Sequence, residues 1–131
     1  RDLRRGGRAV LQTITMPDER WASYRRDVDW MQTYVFPGTT IPSPGWLHSA
    51  TRQAGLSVAS VDEIGTSYAP TLRAWRSRFL ARLPAVRALG FDDRFVRTWE
   101  LYLAFSEAAF AEGTLGDVQM SLSRAGALGS P

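Results

Sequence analysis

The fold is decided by the stretch Ile64-Gly65-Thr66-Ser67-Tyr68-Ala69-Pro70-Thr71-Leu72-Arg73-Ala74-Trp75, where a strand pattern ends and a long amphipathic helix begins. Gly65 lets the backbone leave the strand sharply, and Ser67 and Thr71 are expected to cap amide groups of the new helix. Tyr68 therefore lies at the edge of an open α/β sheet where ligands bind. A tyrosine that only tethers the turn is the simpler interpretation of the spacing, and a phenol that contacts a ligand is the alternative.

Three segments have the pattern of strands. Residues 8–14 form an aliphatic and β-branched run, which is typical of a strand buried on both faces of a parallel sheet. Residues 56–61 alternate apolar and polar side chains and lead into the strand-to-helix joint. Residues 117–123 alternate in the same way, and this last strand can lie on a sheet edge or insert antiparallel.

Four helices are predicted between these strands. A short helix lies within residues 27–36, and a second begins at Ser43 as N-cap and is closed by Gly55. The helix that follows Tyr68 is expected to kink or break near Pro84. The next helix carries an aromatic stripe, which usually packs in a core, although a stripe lining a lipid pocket looks identical in sequence. Its members are Phe95, Trp99, Tyr102, Ser106 and Phe110.

Composition bounds the function. The 131 residues suit one domain, with 44% hydrophobic and 22% charged residues. Cysteine is absent and His48 is the only histidine, which excludes disulfides, thiolate nucleophiles and histidine-rich metal clusters, so no metal is expected. No apolar run approaches the roughly 20 residues of a membrane-spanning helix, and the first residues lack an export pattern. A soluble, cytoplasmic protein is the default expectation.

All 16 basic residues are arginine, and the net charge is +3. This modest excess permits contact with anionic lipid or nucleic acid without requiring it. Arginines decorate the helix after Tyr68, where solvated side chains are favoured over a membrane-binding face. No pattern resembles a nucleic-acid motif, so no nucleic-acid partner is expected.

Five segments, taken in order, resemble the cyclopropane-fatty-acyl-phospholipid synthase family, which are S-adenosylmethionine-dependent methyltransferases that act on unsaturated acyl chains. Each segment alone is weak, but their order and spacing fit the family over nearly the whole chain. They are RAVLQTI at 8–14, YVFPG at 34–38 with IPS at 41–43, the joint at 65–75 with its YAPTL core, RTWELYL at 97–103 and VQM at 118–120.

The resemblance implies an α/β fold, the carboxyl-terminal half of a class I (Rossmann-like) methyltransferase, with three strands under a predominantly helical cover. Residues 1–124 then form the carboxyl-terminal part of the catalytic domain, and residues 125–131 form a frayed tail. The glycine loop and the acidic residue that hold S-adenosylmethionine are not found in this sequence. We therefore expect the cofactor site to lie mainly in a missing amino-terminal half.

The resemblance also implies a bicarbonate ion that serves as the base beside the reacting methyl group. The positions that would hold it are Gln12, Ile14 and Tyr68, with a cysteine and a glutamate expected from the missing half. Gln12 departs from the usual histidine: an amide can donate a hydrogen bond to an anion but cannot carry a proton. Either bicarbonate binding is altered in this chain, or the outcome of the reaction differs.

Three aromatic side chains, Trp75, Trp99 and Tyr102, are candidates for binding the substrate. Their faces can stabilise a passing carbocation, although core packing is at least as consistent with each of them.

The chain alone is expected to be inactive and to need its missing half or a second copy of itself to cover the open sheet edge.

The leading hypothesis is a piece of a methyltransferase that makes cyclopropane, methyl-branched or methylene fatty acids on phospholipids. Its partners are phospholipid acyl chains, with peripheral contact at the inner face of the membrane. Two alternatives remain: a small-molecule methyltransferase of the same fold, and a non-enzymatic lipid-binding module built on the arginine-rich helix. A pocket too short for an acyl chain favours the former, and salt-sensitive binding to acidic lipid favours the latter.

Overall fold

The structure is a computed structural model that describes residues 3–124, so the predicted tail at 125–131 lies outside the described residues. Within them the chain forms a three-stranded sheet, six α-helices and one 3₁₀ turn. In chain order these are β1 (Arg8–Thr15), α1 (Asp18–Tyr24), α2 (Trp30–Tyr34), α3 (Pro44–Gln53), β2 (Ser57–Glu63), the 3₁₀ turn (Gly65–Ser67), α4 (Tyr68–Ala81), α5 (Leu83–Ala88), α6 (Asp93–Ala111) and β3 (Gly116–Ser123).

The last strand of the chain lies in the middle of the sheet. The strand order is β1-β3-β2, and β3 pairs antiparallel with both neighbours, so β1 and β2 run in the same direction. The sequence allowed this strand either a sheet edge or an antiparallel position between two strands, and the structure shows the second. In the β1–β3 register Gln12 lies opposite Gln119 and Ile14 lies opposite Asp117, which brings these four side chains to one face of the sheet.

The expectation that residues 8–14 form a doubly buried strand of a parallel sheet is wrong. Within residues 3–124, β3 is the one neighbour of β1, and the pairing is antiparallel. Val10 is 71% exposed and Leu11 is 38% exposed. An aliphatic run predicts a strand well, but burial depends on layers that the strand's own residues do not specify.

The opposite face of the sheet is covered by α3. Leu47 of this helix packs with Val118, Met120 and Leu122, which alternate along β3. The predicted start of α3 is confirmed: Ser43 is the N-cap, its hydroxyl accepts a hydrogen bond from the Trp46 amide, and a proline follows it.

A second core joins α4 to α6. It contains Ala69, Leu72, Leu103 and Phe110, of which Leu72 is only 2% exposed. The break predicted near Pro84 is confirmed, because α4 ends at Ala81 and α5 begins at Leu83.

The strand-to-helix joint is pinned to β3 by its backbone. The Ile64 amide donates to the Asp117 carbonyl at 2.9 Å, and Gly65 lies so close to β3 that a Cβ there would be 2.9 Å from the Asp117 nitrogen. The predicted caps are wrong: the Ser67 side chain makes no capping bond, and the Thr71 hydroxyl donates to the Ser67 carbonyl instead. Ser67 already has helical backbone angles, whereas a side-chain cap needs an extended residue.

Candidate active site

The structure brings Gln12 and Tyr68 into direct contact, although 56 residues separate them in the sequence. The Gln12 amide nitrogen Nε2 donates to the Tyr68 hydroxyl oxygen at 2.8 Å. The Gln12 oxygen Oε1 accepts a hydrogen bond from Nε2 of Gln119 at 3.0 Å. Both ends of this amide are therefore engaged, and its orientation is set by β3 on one side and by α4 on the other.

The ring of Tyr68 is held by an aromatic stack. Its centroid lies 5.0 Å from that of Phe110, with 24° between the ring planes. Phe110 belongs to the core between α4 and α6 and is 5% exposed. This packing fixes the ring independently of its hydroxyl group, which points to Gln12.

Tyr68 and Ile14 border a cavity of about 370 Å³. Ile14 lies at the end of β1 and is 36% exposed. The rest of the wall is mostly apolar and aromatic, as expected for a site that receives a hydrocarbon. It includes Met31, Phe36, Leu72, Trp75, Tyr102 and Phe105.

The three aromatic candidates divide into two groups. Trp75 and Tyr102 line the cavity, on α4 and α6 respectively. Trp99, although a described residue, lies outside the cavity wall: its ring is 5.7 Å from that of Phe95 and 4.9 Å from that of Tyr102. The helical spacing placed Trp99 and Tyr102 on one stripe of α6, but Trp99 packs against other aromatic rings instead of lining the cavity.

Two phenols of the cavity stay protonated in its apolar surroundings. Burial raises the pKa of Tyr102 above its ordinary value. Burial also raises the pKa of Tyr24, although the Ile41 amide, which donates to its hydroxyl oxygen at 3.4 Å, opposes the rise. Neither group supplies negative charge to the cavity.

Sequence reasoning missed Asp117, which is 3% exposed and lies beside the Gln12–Tyr68 pair. Desolvation raises the pKa of this carboxyl, and hydrogen bonding with Gln12 and Tyr68 opposes the rise. Its oxygen Oδ1 has no hydrogen-bond partner within residues 3–124. The alternation of the last strand carried the signal, because Asp117 and Gln119 fall on the face opposite its apolar residues.

Within residues 3–124, no strand leads through a glycine-rich loop into a helix: β1 is followed by Pro17, and the joint after β2 holds one glycine, Gly65. These residues alone therefore do not fit S-adenosylmethionine, whose adenosine needs such a loop.

Comparison with known proteins identifies the family. The family model described as mycolic acid cyclopropane synthetase matches residues 1–120. The chain belongs to this family, whose members are S-adenosylmethionine-dependent methyltransferases of the cyclopropane synthase type.

Curated relatives agree with this assignment. The chain is 43% identical to the tuberculostearic acid methyltransferase UfaA1 of Mycobacterium tuberculosis, over 95% of this chain and 29% of that protein. It is 32% identical to sphingolipid C9-methyltransferase B of Emericella nidulans, over 70% of this chain and 18% of that protein. The chain thus spans less than a third of the length of either relative.

Solved structures share the fold. Mycolic acid cyclopropane synthase CmaA1 in complex with SAH and CTAB matches with a TM-score of 0.79 and 23% identity, over 90% of this chain and 44% of that one. The cyclopropane synthase MmaA2 from Mycobacterium tuberculosis matches with a TM-score of 0.82 and 18% identity, over 93% and 46%. The predicted class of fold, part of a methyltransferase with three strands and a helical cover, is confirmed.

Proposed function

We propose that this chain is the carboxyl-terminal part of an enzyme that transfers a methyl group from S-adenosylmethionine to an unsaturated acyl chain of a phospholipid. We call the enzyme that contains both this chain and a cofactor-binding amino-terminal half the complete methyltransferase. The observation that carries the proposal is the Gln12–Tyr68 pair at the wall of an apolar cavity of about 370 Å³. Two relatives have tuberculostearic acid and sphingolipid in their names, which supports a long-chain lipid acceptor.

The chemistry accounts for the residues of this cavity. The methyl donor supplies an electrophilic methyl group, and an alkene that accepts it becomes a carbocation, which must lose a proton. The apolar wall excludes water that would quench the cation. The faces of Trp75 and Tyr102 stabilise its positive charge. Loss of the proton closes a cyclopropane ring or leaves a methylene group, and a later reduction would give a methyl branch.

The proposed base is a bicarbonate ion beside Gln12, Ile14 and Tyr68. Two features support this part of the proposal: the Tyr68 hydroxyl and the Gln12 amide lie together, and Ile14 lines the same cavity as Tyr68. The Gln12 amide nitrogen carries a second hydrogen besides the one that it donates to Tyr68, and an anion can accept that hydrogen. Removing carbon dioxide from the buffer of the complete methyltransferase should slow turnover, and adding bicarbonate should restore it. An unchanged rate in depleted buffer would eliminate bicarbonate.

The experiment that tests the function supplies labelled S-adenosylmethionine and a monounsaturated phospholipid to the complete methyltransferase. Label should enter the acyl chain, and the matched saturated phospholipid should remain unlabelled because it offers no alkene. Lack of label with folded protein would refute the proposal. Equal labelling of a short alkene would instead favour a small-molecule methyltransferase.

The free edge of β1 is the proposed contact with the amino-terminal half. Exposed Val10 and Leu11 lie on this strand, whose second edge has no strand beside it within residues 3–124. Pairing there would cover an edge that otherwise invites association, including with a second copy of the chain. Calorimetry of the isolated chain with S-adenosylmethionine should show no binding, because the cofactor site is proposed to need the amino-terminal half. Measurable affinity would contradict that location of the cofactor site.

Peripheral contact with the inner face of a membrane is proposed through the rim of the cavity. Trp75 is 47% exposed and Phe105 is 52% exposed, and both line the cavity. No helix among residues 3–124 has the length and hydropathy to cross a bilayer. Arg73 and Arg76 form ion pairs with acidic side chains of α6, which supports contact through the rim rather than through an arginine-rich module.

This contact predicts that changing both Trp75 and Phe105 to Ser weakens cosedimentation with phospholipid vesicles. Burial of large aromatic side chains in the bilayer interface supplies the binding free energy. Changing Arg78 and Arg82 to Gln serves as the control and should have a smaller effect. Binding that depends only on the arginines and falls steeply with salt would favour the arginine-rich module instead.

A further inference from the structure

Asp117 is a buried carboxyl at the candidate site that the proposed function leaves without a role. It lies opposite Ile14 in the β1–β3 register and two residues before Gln119, which donates to Gln12. Its backbone is fixed on both sides, because the Ile64 amide donates to its carbonyl and Gly65 packs against its nitrogen. A carboxyl that is 3% exposed and has an unpartnered oxygen is unusual and calls for an explanation.

The Tyr68 hydroxyl group has a hydrogen and a lone pair that its hydrogen bond with Gln12 does not use. The hydroxyl oxygen accepts from the Gln12 amide, so its own hydrogen remains available to an acceptor. The Asp117 carboxyl lies near enough to this hydroxyl for the hydroxyl to lower the pKa of the carboxyl, and an ionised carboxylate can only accept a hydrogen bond. A second lone pair of the Tyr68 oxygen remains free for a proton that arrives from the cavity.

Asp117 is the one buried carboxyl of the cluster. The side chains of Gln12 and Gln119 are amides, which do not titrate, and Ile14 carries no polar group. From β2, Asp62 lies on the same face of the sheet, opposite Gln119, and Glu63 borders a cavity of about 300 Å³ that Asp117 also borders. Both of these acids are exposed, whereas Asp117 is buried.

We propose that Asp117 is the proton-carrying residue of the site, and that it receives through the Tyr68 hydroxyl the proton that the alkylated acyl chain must lose. This inference rests on the proposed function. The C–H bond of the chain breaks, and its electron pair forms the new carbon–carbon bond. The proton reaches the Tyr68 oxygen, directly or by way of a bound anion, while the hydrogen of Tyr68 moves to the Asp117 carboxylate. Asp117 acts through Tyr68 and is a positioning residue.

The charge of Asp117 makes the relay dependent on pH. Only the ionised carboxylate can accept the proton, so turnover must fall as pH drops through the pKa of Asp117. Desolvation raises the pKa of this carboxyl above its ordinary value of 3.8, so the acidic limb of the pH profile should lie above the pH at which an exposed aspartate titrates. A buried carboxyl with one unpartnered oxygen therefore becomes a group that both accepts and releases a proton.

The test compares Asp117→Asn, Asp117→Glu and the control Asp62→Asn in the complete methyltransferase. Asp117→Asn should lower kcat at least tenfold, abolish the acidic limb of the pH profile and leave KM for both substrates within twofold. Asp117→Glu should restore part of the rate and the acidic limb. Asp62→Asn should behave like the wild type, because this carboxyl is exposed to solvent. Wild-type kcat and an unchanged profile in Asp117→Asn would overturn the proposal.

A second measurement does not depend on turnover. Carbon-13 labels at Asp Cγ and Tyr Cζ let NMR follow both groups of the wild-type enzyme, and the Tyr68 signal is the one absent from Tyr68→Phe. The two signals should titrate with a common midpoint. Independent titrations would refute the proton link even if acyl lipids are methylated. Coincident titrations in an enzyme that methylates no acyl lipid would support the link and refute the proposed function.

Discussion

Replacing Gly65 by Ala tests the packing that places Tyr68. A Cβ at this position would lie 2.9 Å from the Asp117 nitrogen, 3.1 Å from the Gly116 Cα and 3.3 Å from the Gly116 carbonyl carbon. All three are backbone atoms of β3, so no side chain can rotate away. An ordinary contact of 3.4 Å requires the joint and the strand to separate by about 0.5 Å.

The magnitude follows from three effects. Overpacking of this kind costs about 1–3 kcal/mol. Separation also weakens the hydrogen bond from the Ile64 amide to the Asp117 carbonyl, which is worth about 1 kcal/mol. Alanine lowers the entropy of the unfolded chain, which stabilises the folded state by about 0.4–1 kcal/mol and offsets part of the loss. The free energy of unfolding should therefore fall by about 1–3 kcal/mol.

Urea denaturation followed by tryptophan fluorescence measures this change, and Gly45→Ala is the matched control. A Cβ at Gly45 would lie 2.7 Å from an oxygen of Asp18, but that side chain is exposed and can move. Alanine also favours the helix there by up to about 1 kcal/mol, so the control should change stability by less than about 1 kcal/mol. If Gly65→Ala matched the wild type, the close approach of the joint to β3 would be refuted.

Three further predictions concern stability. Leu72→Ala should cost about 2–5 kcal/mol because the side chain is 2% exposed, whereas Leu101→Ala, at a 51% exposed position, should cost less than about 1 kcal/mol; equal costs in urea denaturation would contradict the assigned core. Asp92→Ala should cost about 1 kcal/mol, because its carboxylate accepts from the Phe95 amide at 2.8 Å, and Asp92→Asn should retain most of the cap. The raised pKa of Asp117 means that protonation favours the folded state, so this contribution to stability is present below pH 3.8 and is lost as pH rises through the folded-state pKa. Asp117→Asn should therefore gain stability relative to the wild type between pH 3 and pH 7, and a constant difference across that range would contradict the shift.

Local chemistry made several elements predictable. The N-cap of α3 at Ser43 and the break near Pro84 each depend on residues within one helical turn. The strand-to-helix joint was predictable for the same reason. A family resemblance singled out Gln12, Ile14 and Tyr68. In the structure Ile14 and Tyr68 line one cavity, and Gln12 is hydrogen-bonded to Tyr68.

Features that depend on distant partners were not predictable in the same way. The aliphatic run of β1 indicated burial, but exposure is set by which strands and helices cover it. Trp99 shares the helical stripe of Tyr102, yet it stacks on Phe95 and does not line the cavity. Asp117 occupies a polar position in the alternating pattern of its strand. Only the three-dimensional arrangement shows that its carboxyl is buried near Tyr68.

The most direct measurement is the turnover of Tyr68→Phe in the complete methyltransferase, with Tyr34→Phe, which changes an exposed tyrosine, as the control. Phenylalanine keeps the stack on Phe110 and removes only the hydroxyl that meets Gln12. Loss of one preorganised polar group at a reacting centre lowers kcat by about 10²–10³-fold, and affinity for S-adenosylmethionine should stay within twofold. If Tyr68→Phe turns over as fast as the wild type, the pairing of Tyr68 with Gln12 has no part in the reaction.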